Sequence, residues 1–177
     1  GIYPIGKPLK GIKIKIIYKK SKNVGNIFVS GKSLMNGYLN LDSLNKKKII
    51  NRWFDTGDLG FFDKKKNLYL VGREDNTFRV GHEKLCPEEL ESEIKKIFNL
   101  NEVIISKIKD NILGWAPVCA ILKKDQKKIK QNFFEKAQVF FSTYKIPKHL
   151  FFFKKFPKTN YGKIDRKKIE KKINKIK

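Results

Sequence analysis

The sequence predicts an α+β protein with a β-rich first part, residues 1–71, and a small second part, residues 72–177, in which helices cover a three-stranded sheet. The segment Ile12–Ile17 alternates apolar residues with lysines, which is typical of a half-buried strand. After Pro87, apolar residues recur at the spacing of an amphipathic helix. Strand-like runs and helical patterns then interleave, which indicates helices packed on a sheet.

The remaining elements of the first part are strands and turns. Residues 26–31 form a second predicted strand that ends at a glycine, and residues 35–40 contain a turn. Residues 46–48 are predicted to be a charged loop. Residues 53–71 are predicted to form a hairpin with a lysine-rich turn near Asn67.

The second part begins its regular structure with the predicted helix at Pro87. Proline suits the first helical position, and Glu88 and Glu89 favour the positive end of the helix dipole. One face of this helix is expected to carry Leu90, Ile94, Ile97 and Phe98.

Three strands and two further helices are predicted after it. The strands are residues 103–108, 117–122 and 150–153, and one helix spans about residues 129–144. Its apolar face is expected to carry Phe133, Ala137, Phe140, Phe141 and Tyr144. A lysine-rich terminal helix follows Asp165.

The net charge of the chain is +24, from 41 Lys and Arg against 17 Asp and Glu. One interpretation is compositional bias, since the charge is mostly lysine and spread along the chain; the other is an anionic partner. No apolar run approaches the length of about 20 residues that spans a membrane. Cys86, Cys119, His82 and His149 have no disulfide or metal-ligand spacing, so we expect no metal site and a reducing, cytoplasmic environment.

Four segments carry motifs. They are VGNIFVSGKSLMNGYLN (24–40), WFDTGDLG (53–60), GREDNTFRVGHEKLCPEELE (72–91) and IPKHLFFFKKFPKTNYGKIDR (146–166). In this order and spacing they resemble the AMP-forming acyl-activating enzymes, the superfamily of acyl-CoA synthetases, adenylation domains and luciferases. The resemblance covers essentially the whole chain.

The resemblance implies that residues 1–71 are the last β subdomain of an incomplete large AMP-binding domain and that residues 72–177 are the mobile C-terminal domain. It implies an ATP-dependent acid–thiol ligase that makes an acyl adenylate from a carboxylic acid, with CoA as acceptor. Mg²⁺ and ATP would be bound mainly by the missing N-terminal part, so the fragment alone should be inactive. One alternative is an enzyme that loads an acidic carrier protein. Another is a basic module that binds anionic lipid or nucleic acid, although no specific nucleic-acid signature is present.

Individual residues receive roles from the resemblance. Asp58 follows a glycine turn, and its carboxylate can accept two hydrogen bonds from a ribose diol. Thr56 and Arg73 are the other nucleotide-binding candidates, and Asp75 is the candidate hinge. Lys163 is the catalytic candidate, because an ammonium group between a carboxylate and an α-phosphate offsets their repulsion. The alternatives are a turn cap for Asp58, a surface ion pair with Glu74 or Asp75 for Arg73, and a solvated charge for Lys163.

The segment Gly81–Lys84, with His82 and Glu83 inside it, resembles the part of the family that approaches the thiol arm of the acceptor. The family usually has glycine where His82 stands. Either His82 crowds the thiol tunnel, or Gly81 makes the turn and His82 faces solvent. Cys86 has no His or Asp partner in the sequence pattern and is not expected to be a nucleophile.

Overall fold

The computed structural model describes residues 4–18 and 23–176 and divides the chain into two compact units, with the boundary between Asn76 and Thr77. Both units combine strands and helices, so the predicted α+β class is confirmed. No helix among the described residues is both long and apolar enough to cross a membrane. That residues 72–177 form a mobile domain stays a prediction.

The first unit is built on an antiparallel sheet. Its strands are β1 (Pro4–Gly6), β2 (Ile12–Ile17), β3 (Gly25–Gly31), β4 (Ile49–Ile50), β5 (Trp53–Phe62) and β6 (Leu68–Arg73). The order is β1-β6-β5-β3-β2, and β4 pairs with β5. Ile27, Leu59, Leu68 and Val71 are its buried hydrophobic residues, so the central strands supply the core.

The β5–β6 hairpin turns where the sequence predicts. The Asp63 carboxylate accepts hydrogen bonds from the backbone and side-chain nitrogens of Asn67, at 2.8 and 2.9 Å. Lys66 supplies a positive φ of 62° in the same turn.

The prediction of a charged loop at residues 46–48 is wrong, because these residues form the last turn of a short helix, α1 (Asp42–Lys48). Asp42 lies in its first turn and three lysines lie in its last, which complements the helix dipole. The helix buries no residue, so no apolar periodicity announces it in the sequence.

The second unit contains a three-stranded sheet, as predicted. Its strands are β9 (Val103–Asp110), β10 (Gly114–Leu122) and β11 (Leu150–Phe153), in the order β11-β10-β9. The β9–β10 pair is antiparallel and the β10–β11 pair is parallel. A separate hairpin, β7 (Phe78–Val80) with β8 (Glu83–Leu85), was not predicted because its strands are only three residues long.

Helices cover both faces of this sheet. They are α2 (Pro87–Phe98), α3 (Gln126–Lys130), α4 (Phe133–Phe140) and α5 (Arg166–Ile176). Leu90 and Ile94 of α2 pack with Phe133 of α4 in one buried cluster, and Ile169 and Ile173 of α5 lie in a second cluster. The predicted face of the helix after Pro87 and the predicted terminal helix are both confirmed.

The single helix predicted over residues 129–144 is wrong. Asn132 has φ −151° and separates α3 from α4, since asparagine competes for backbone hydrogen bonds and favours helix boundaries. Phe141 leaves the helix in an extended conformation and becomes buried, whereas Phe140 is 60% exposed. The predicted apolar face therefore holds at Phe133 and Ala137 but not at Phe140.

Candidate functional site

Gly57 lies just before Asp58 inside β5, at a bulge where the register with β3 shifts. Its φ is +74°, a left-handed conformation that favours glycine. The Gly57 amide donates a hydrogen bond of 2.9 Å to the Asp55 carboxylate, whose other oxygen lies 3.2 Å from the Lys48 ammonium. A Cβ atom at Gly57 would lie 3.2 Å from Nη2 of Arg73. The glycine thus lets the guanidinium lie against the backbone of the bulge.

Asp58 and Arg73 face each other across β5 and β6. Nη1 of Arg73 donates to Oδ1 of Asp58 at 2.9 Å and to the Thr56 carbonyl oxygen at 3.2 Å. Nη2 lies 3.6 Å from the Asp75 carboxylate. The Asp58 and Arg73 side chains remain 30% and 49% exposed, so a ligand can reach both groups of this ion pair.

The Thr56 side chain points into the sheet. Its hydroxyl donates to the Ile27 carbonyl oxygen at 2.9 Å and accepts from the Asp58 amide at 3.0 Å. The hydroxyl proton is therefore already donated to a carbonyl of the sheet, and the hydroxyl oxygen holds the backbone of Asp58 in place.

Asp75 lies in a single 3₁₀ turn, Glu74–Asn76, at the end of the first unit. Its side chain is 77% exposed, whereas the neighbouring Glu74 accepts a hydrogen bond from the buried Asn26 amide. The structure thus brings Thr56, Asp58, Arg73 and Asp75 together within one unit.

Lys163 lies in a compact loop of the second unit. The Thr159 amide donates to the Lys163 carbonyl oxygen at 2.7 Å, and the Gly162 amide donates to the Thr159 carbonyl oxygen at 3.0 Å. Gly162 has a φ of +77°, and Lys158 and Ile164 form a bridge across the loop. The Lys163 side chain is exposed and forms no ion pair within the part of the chain that the structure describes.

The segment Gly81–Lys84 forms the β7–β8 turn and the start of β8. Gly81 has a φ of +59°, and its amide donates to the Leu113 carbonyl oxygen at 2.9 Å. His82 is exposed, and its carbonyl oxygen accepts from Arg79 at 2.9 Å. Glu83 and Lys84 are also exposed. Gly81 thus has a turn conformation and His82 is exposed within this unit; the role of the segment toward the thiol stays a prediction.

Glu91 and Arg166 form an ion pair that sequence reasoning missed. The two guanidinium nitrogens of Arg166 donate to the two carboxylate oxygens of Glu91 at 2.6 and 2.7 Å. The pair joins α2 to the first residue of α5, although the residues are 75 positions apart in the chain. Each residue is the last of a motif segment, 72–91 or 146–166, and the two carry opposite charges. These two features are the signal in the sequence that could have predicted the pair.

The thiols are not activated. Burial raises the pKa of the Cys86 thiol to about 12, with further contributions from Glu88 and Glu89. Burial also raises the pKa of Cys119. Among residues 4–18 and 23–176, no three His, Cys, Asp or Glu side chains group as metal ligands.

A basic groove of about 560 Å³ lies beside β11 in the second unit. Its lining combines the three phenylalanines of β11 with Lys123, Lys154, Lys155, Lys172 and Lys175. The positive charge is thus locally concentrated as well as spread along the chain.

Comparison with known proteins places these segments in context. No family model matches the chain. The 2-succinylbenzoate–CoA ligase of Enterococcus faecalis is 32% identical over 164 residues, which cover 90% of this chain and 33% of the relative. The oxalate–CoA ligase of Saccharomyces cerevisiae is 30% identical over 173 residues, covering 93% of this chain and 32% of the relative.

A solved structure gives the same result. The o-succinylbenzoate CoA synthetase from Bacillus subtilis, solved in complex with its acyl-adenylate intermediate, is 26% identical with a TM-score of 0.79. The match covers 94% of this chain and 35% of that one. The fold and motifs therefore define the class of AMP-forming acyl-activating enzymes. The chain belongs to this superfamily as a C-terminal part, and it spans about a third of the length of the curated relatives it matches.

Proposed function

We propose that this chain is part of an ATP-dependent ligase that activates a carboxylic acid as an acyl adenylate and transfers the acyl group to CoA. The observation that carries the proposal is the half-exposed Asp58–Arg73 pair, held by the Thr56 hydroxyl and the β5 bulge at Gly57. A carboxylate beside a guanidinium suits a ribose diol next to a phosphate. The similarity to CoA ligases over about nine tenths of the chain supports the same activity.

The first half-reaction joins a carboxylate oxygen of the acid to the α-phosphorus of ATP and releases pyrophosphate. Two anionic groups approach each other, and a preorganised cation lowers the energy of that transition state. We assign this role to Lys163, whose ammonium group is exposed and has no ion-pair partner among the described residues. ATP with Mg²⁺ is bound mainly by parts of the enzyme outside this chain, so the isolated chain is expected to be inactive.

In the second half-reaction, the CoA thiol attacks the acyl carbon, loses its proton and displaces AMP. We assign the approach of the thiol to the segment Gly81–Lys84. His82→Gly distinguishes the two alternatives for this segment: if Gly81 makes the turn and His82 faces solvent, the variant should leave thioester formation unchanged. A large gain in thioester formation with this variant would mean instead that the imidazole crowds the acceptor.

The complete enzyme tests the assignment of Lys163. Lys163→Ala should slow acyl-adenylate formation by about 10²–10³-fold, since it removes a charge that acts in the transition state. It should spare thioester formation from supplied acyl adenylate, in which no pyrophosphate leaves. Lys158→Ala is the matched control, because Lys158 is exposed in the same loop. Equal losses in both half-reactions would refute the role.

Asp75 is the proposed hinge between the two half-reactions. Its exposed position in a single 3₁₀ turn at the unit boundary leaves the backbone free to change conformation. Asp75→Pro fixes φ near −65° and also restricts the residue before it. We expect this variant to lose thiol transfer and keep adenylation; wild-type rates for both steps would exclude a hinge at Asp75.

A second candidate acceptor is an acidic carrier protein, and the basic groove beside β11 favours it. The two acceptors are separated by comparing CoA with an acidic phosphopantetheinyl carrier in the thioester assay. If the carrier is the acceptor, Lys172→Glu with Lys175→Glu should slow transfer to the carrier and leave adenylation unchanged. If CoA is the acceptor, the complete enzyme should form its thioester without any carrier.

A further inference from the structure

The Glu91–Arg166 pair has the geometry of a fixed support. Its two hydrogen bonds join separate nitrogens to separate oxygens at 2.6 and 2.7 Å, and the Glu91 side chain is only 7% exposed. Oε1 of Glu91 also accepts the Ile105 amide at 2.8 Å. One carboxylate therefore ties α2, β9 and α5 together. Burial raises the pKa of Glu91, and the permanently charged guanidinium opposes that rise.

Arg166 closes the loop that presents Lys163. It lies three residues after Lys163 and is the first residue of α5. Just before it, the Asp165 amide donates to the Pro157 carbonyl oxygen at 2.8 Å, which closes the base of the loop. The other end of the loop is held by Phe156, which is 6% exposed in the cluster beneath α5. The position of Lys163 is thus set by groups at the loop base.

A buried ion pair adds little stability compared with well-packed apolar residues, so stability alone does not account for it. Its bidentate form instead specifies one orientation of the guanidinium, which a lysine at the same position could not reproduce. A misplacement of a catalytic group by about 1 Å can cost on the order of 10²-fold in rate.

We propose that Glu91 and Arg166 are positioning residues for Lys163, holding its loop where the ammonium group meets the reacting carboxylate and phosphate. This inference rests on the proposed function. Neither side chain touches the reacting atoms; both act through the loop base. The pair is therefore expected to matter for adenylation and not for thioester formation from supplied acyl adenylate.

A double-mutant cycle in the complete enzyme tests the proposal. Arg166→Lys keeps the charge and loses the bidentate contact, and it should slow adenylation by about 10- to 100-fold. The same substitution in a Lys163→Ala background should cause no further loss, because the group it positions is gone. Lys168→Ala is the control, since it removes another ion pair of α5 whose lysine is 61% exposed, and it should leave adenylation unchanged.

The outcomes are distinguishable. If Lys163→Ala slows adenylation and Arg166→Lys adds a further full effect, the positioning role is overturned while the function of Lys163 stands. If Lys163→Ala leaves adenylation intact, the assignment of Lys163 and this inference both fail. Glu91→Gln keeps the side-chain shape and an acceptor for the Ile105 amide, so it repeats the cycle should Arg166→Lys not fold.

Discussion

The two units each contain a carboxylate–arginine pair drawn from the motif segments, and the pairs differ in burial. In the first unit, the Asp58 and Arg73 side chains are 30% and 49% exposed, and a single 2.9 Å contact joins them. In the second, Glu91 and Arg166 are 7% and 29% exposed and share two contacts. Arg73 also has Asp75 and the Thr56 carbonyl within reach, whereas Glu91 fills its remaining capacity with a backbone amide.

This difference separates two uses of the same residue types. A half-exposed pair is stabilised weakly and can exchange a partner for a ligand at little cost. Glu91 is only 7% exposed, so it has lost its water and cannot exchange its partner without leaving a buried charge unsatisfied. The contrast leads us to assign ligand contact to the first pair and support of a loop to the second.

Glu91→Ala should produce the largest loss of stability. It leaves the Arg166 guanidinium without its bidentate partner and the Ile105 amide without its acceptor. Removing one partner of a buried pair costs about 3–5 kcal/mol. We expect about 3 kcal/mol, because Glu88 lies 3.7 Å from Arg166 and offers partial compensation.

The measurement is urea unfolding of the chain. Glu93→Ala is the control, since Glu93 lies on the same helix, is 38% exposed and pairs with Lys145. It should lose less than about 1 kcal/mol. Similar losses for the two variants would remove the distinction between buried and exposed pairs.

The sequence pattern predicted those elements in which apolar residues recur with the period of a strand or of a helix. The strand Ile12–Ile17 and the helix Pro87–Phe98 both formed as predicted. The strand is half-buried, whereas the helix buries Leu90, Ile94 and Phe98 in a core. Residues 42–48 form a helix with no buried side chain, so no apolar periodicity in the sequence could predict this helix. The prediction of one helix over 129–144 was wrong because apolar residues occur on both sides of Asn132, whereas the helical backbone is interrupted at Asn132.

The motifs identified segments of the site but not the contacts inside them. The motifs predicted both Asp58 and Arg73 as nucleotide-binding residues. They did not predict the contact between the two side chains, because that contact depends on the register of β5 and β6. The Glu91–Arg166 contact spans 75 positions and follows from packing α2 and α5 near β9, which no local spacing encodes. The inward direction of the Thr56 hydroxyl likewise depends on the neighbouring strand β3.

Gly57→Ala tests how easily the exposed pair adjusts. A left-handed φ costs a non-glycine residue roughly 1–2 kcal/mol. The new Cβ would also meet the end of the Arg73 side chain at 3.2 Å, but that side chain is flexible and half exposed. We therefore expect a total loss of about 1–2 kcal/mol in the free energy of unfolding, from the backbone alone.

Gly11→Ala is the matched control for this prediction. Gly11 has a φ of +85° in the same unit, and a Cβ there would meet no atom within 4 Å. Equal losses for the two variants mean that Arg73 moves aside. A clearly greater loss at Gly57 would mean that Arg73 is held rigidly, contrary to the proposed exchange of partners.

Asp110 and Lys148 form a pair of intermediate exposure, with side chains 12% and 45% exposed, and it should have a smaller effect that is confined to acid pH. The Lys148 hydrogen bond, with help from the Leu113 and Ile112 amides, lowers the pKa of Asp110 to about 2. A lowered carboxylate pKa adds stability above the unfolded-state pKa of about 4, and this is lost as the pH falls through 2.

Urea unfolding between pH 5 and pH 2 checks this expectation. Asp110→Asn keeps an oxygen for the Leu113 and Ile112 amides but cannot titrate. Its stability should fall less steeply over about pH 4 to 2 than that of the unsubstituted chain. Parallel curves would show that the Lys148 contact does not hold the Asp110 charge.

Asp58→Asn should have the smallest effect on stability and a large effect on nucleotide binding. The loss should stay below about 1 kcal/mol, because the pair is half exposed and Arg73 keeps the Thr56 carbonyl and Asp75 nearby. In the complete enzyme, the same variant should raise the KM for ATP, since an amide cannot accept two charged hydrogen bonds from a ribose diol. Asp63→Asn is the control, as Asp63 only closes the β5–β6 turn with Asn67 and should leave the KM unchanged. If Asp58→Asn destabilised the chain as much as Glu91→Ala and left the KM for ATP unchanged, the first pair would be a structural support like the second, and the assignment of nucleotide binding to Asp58 would fail.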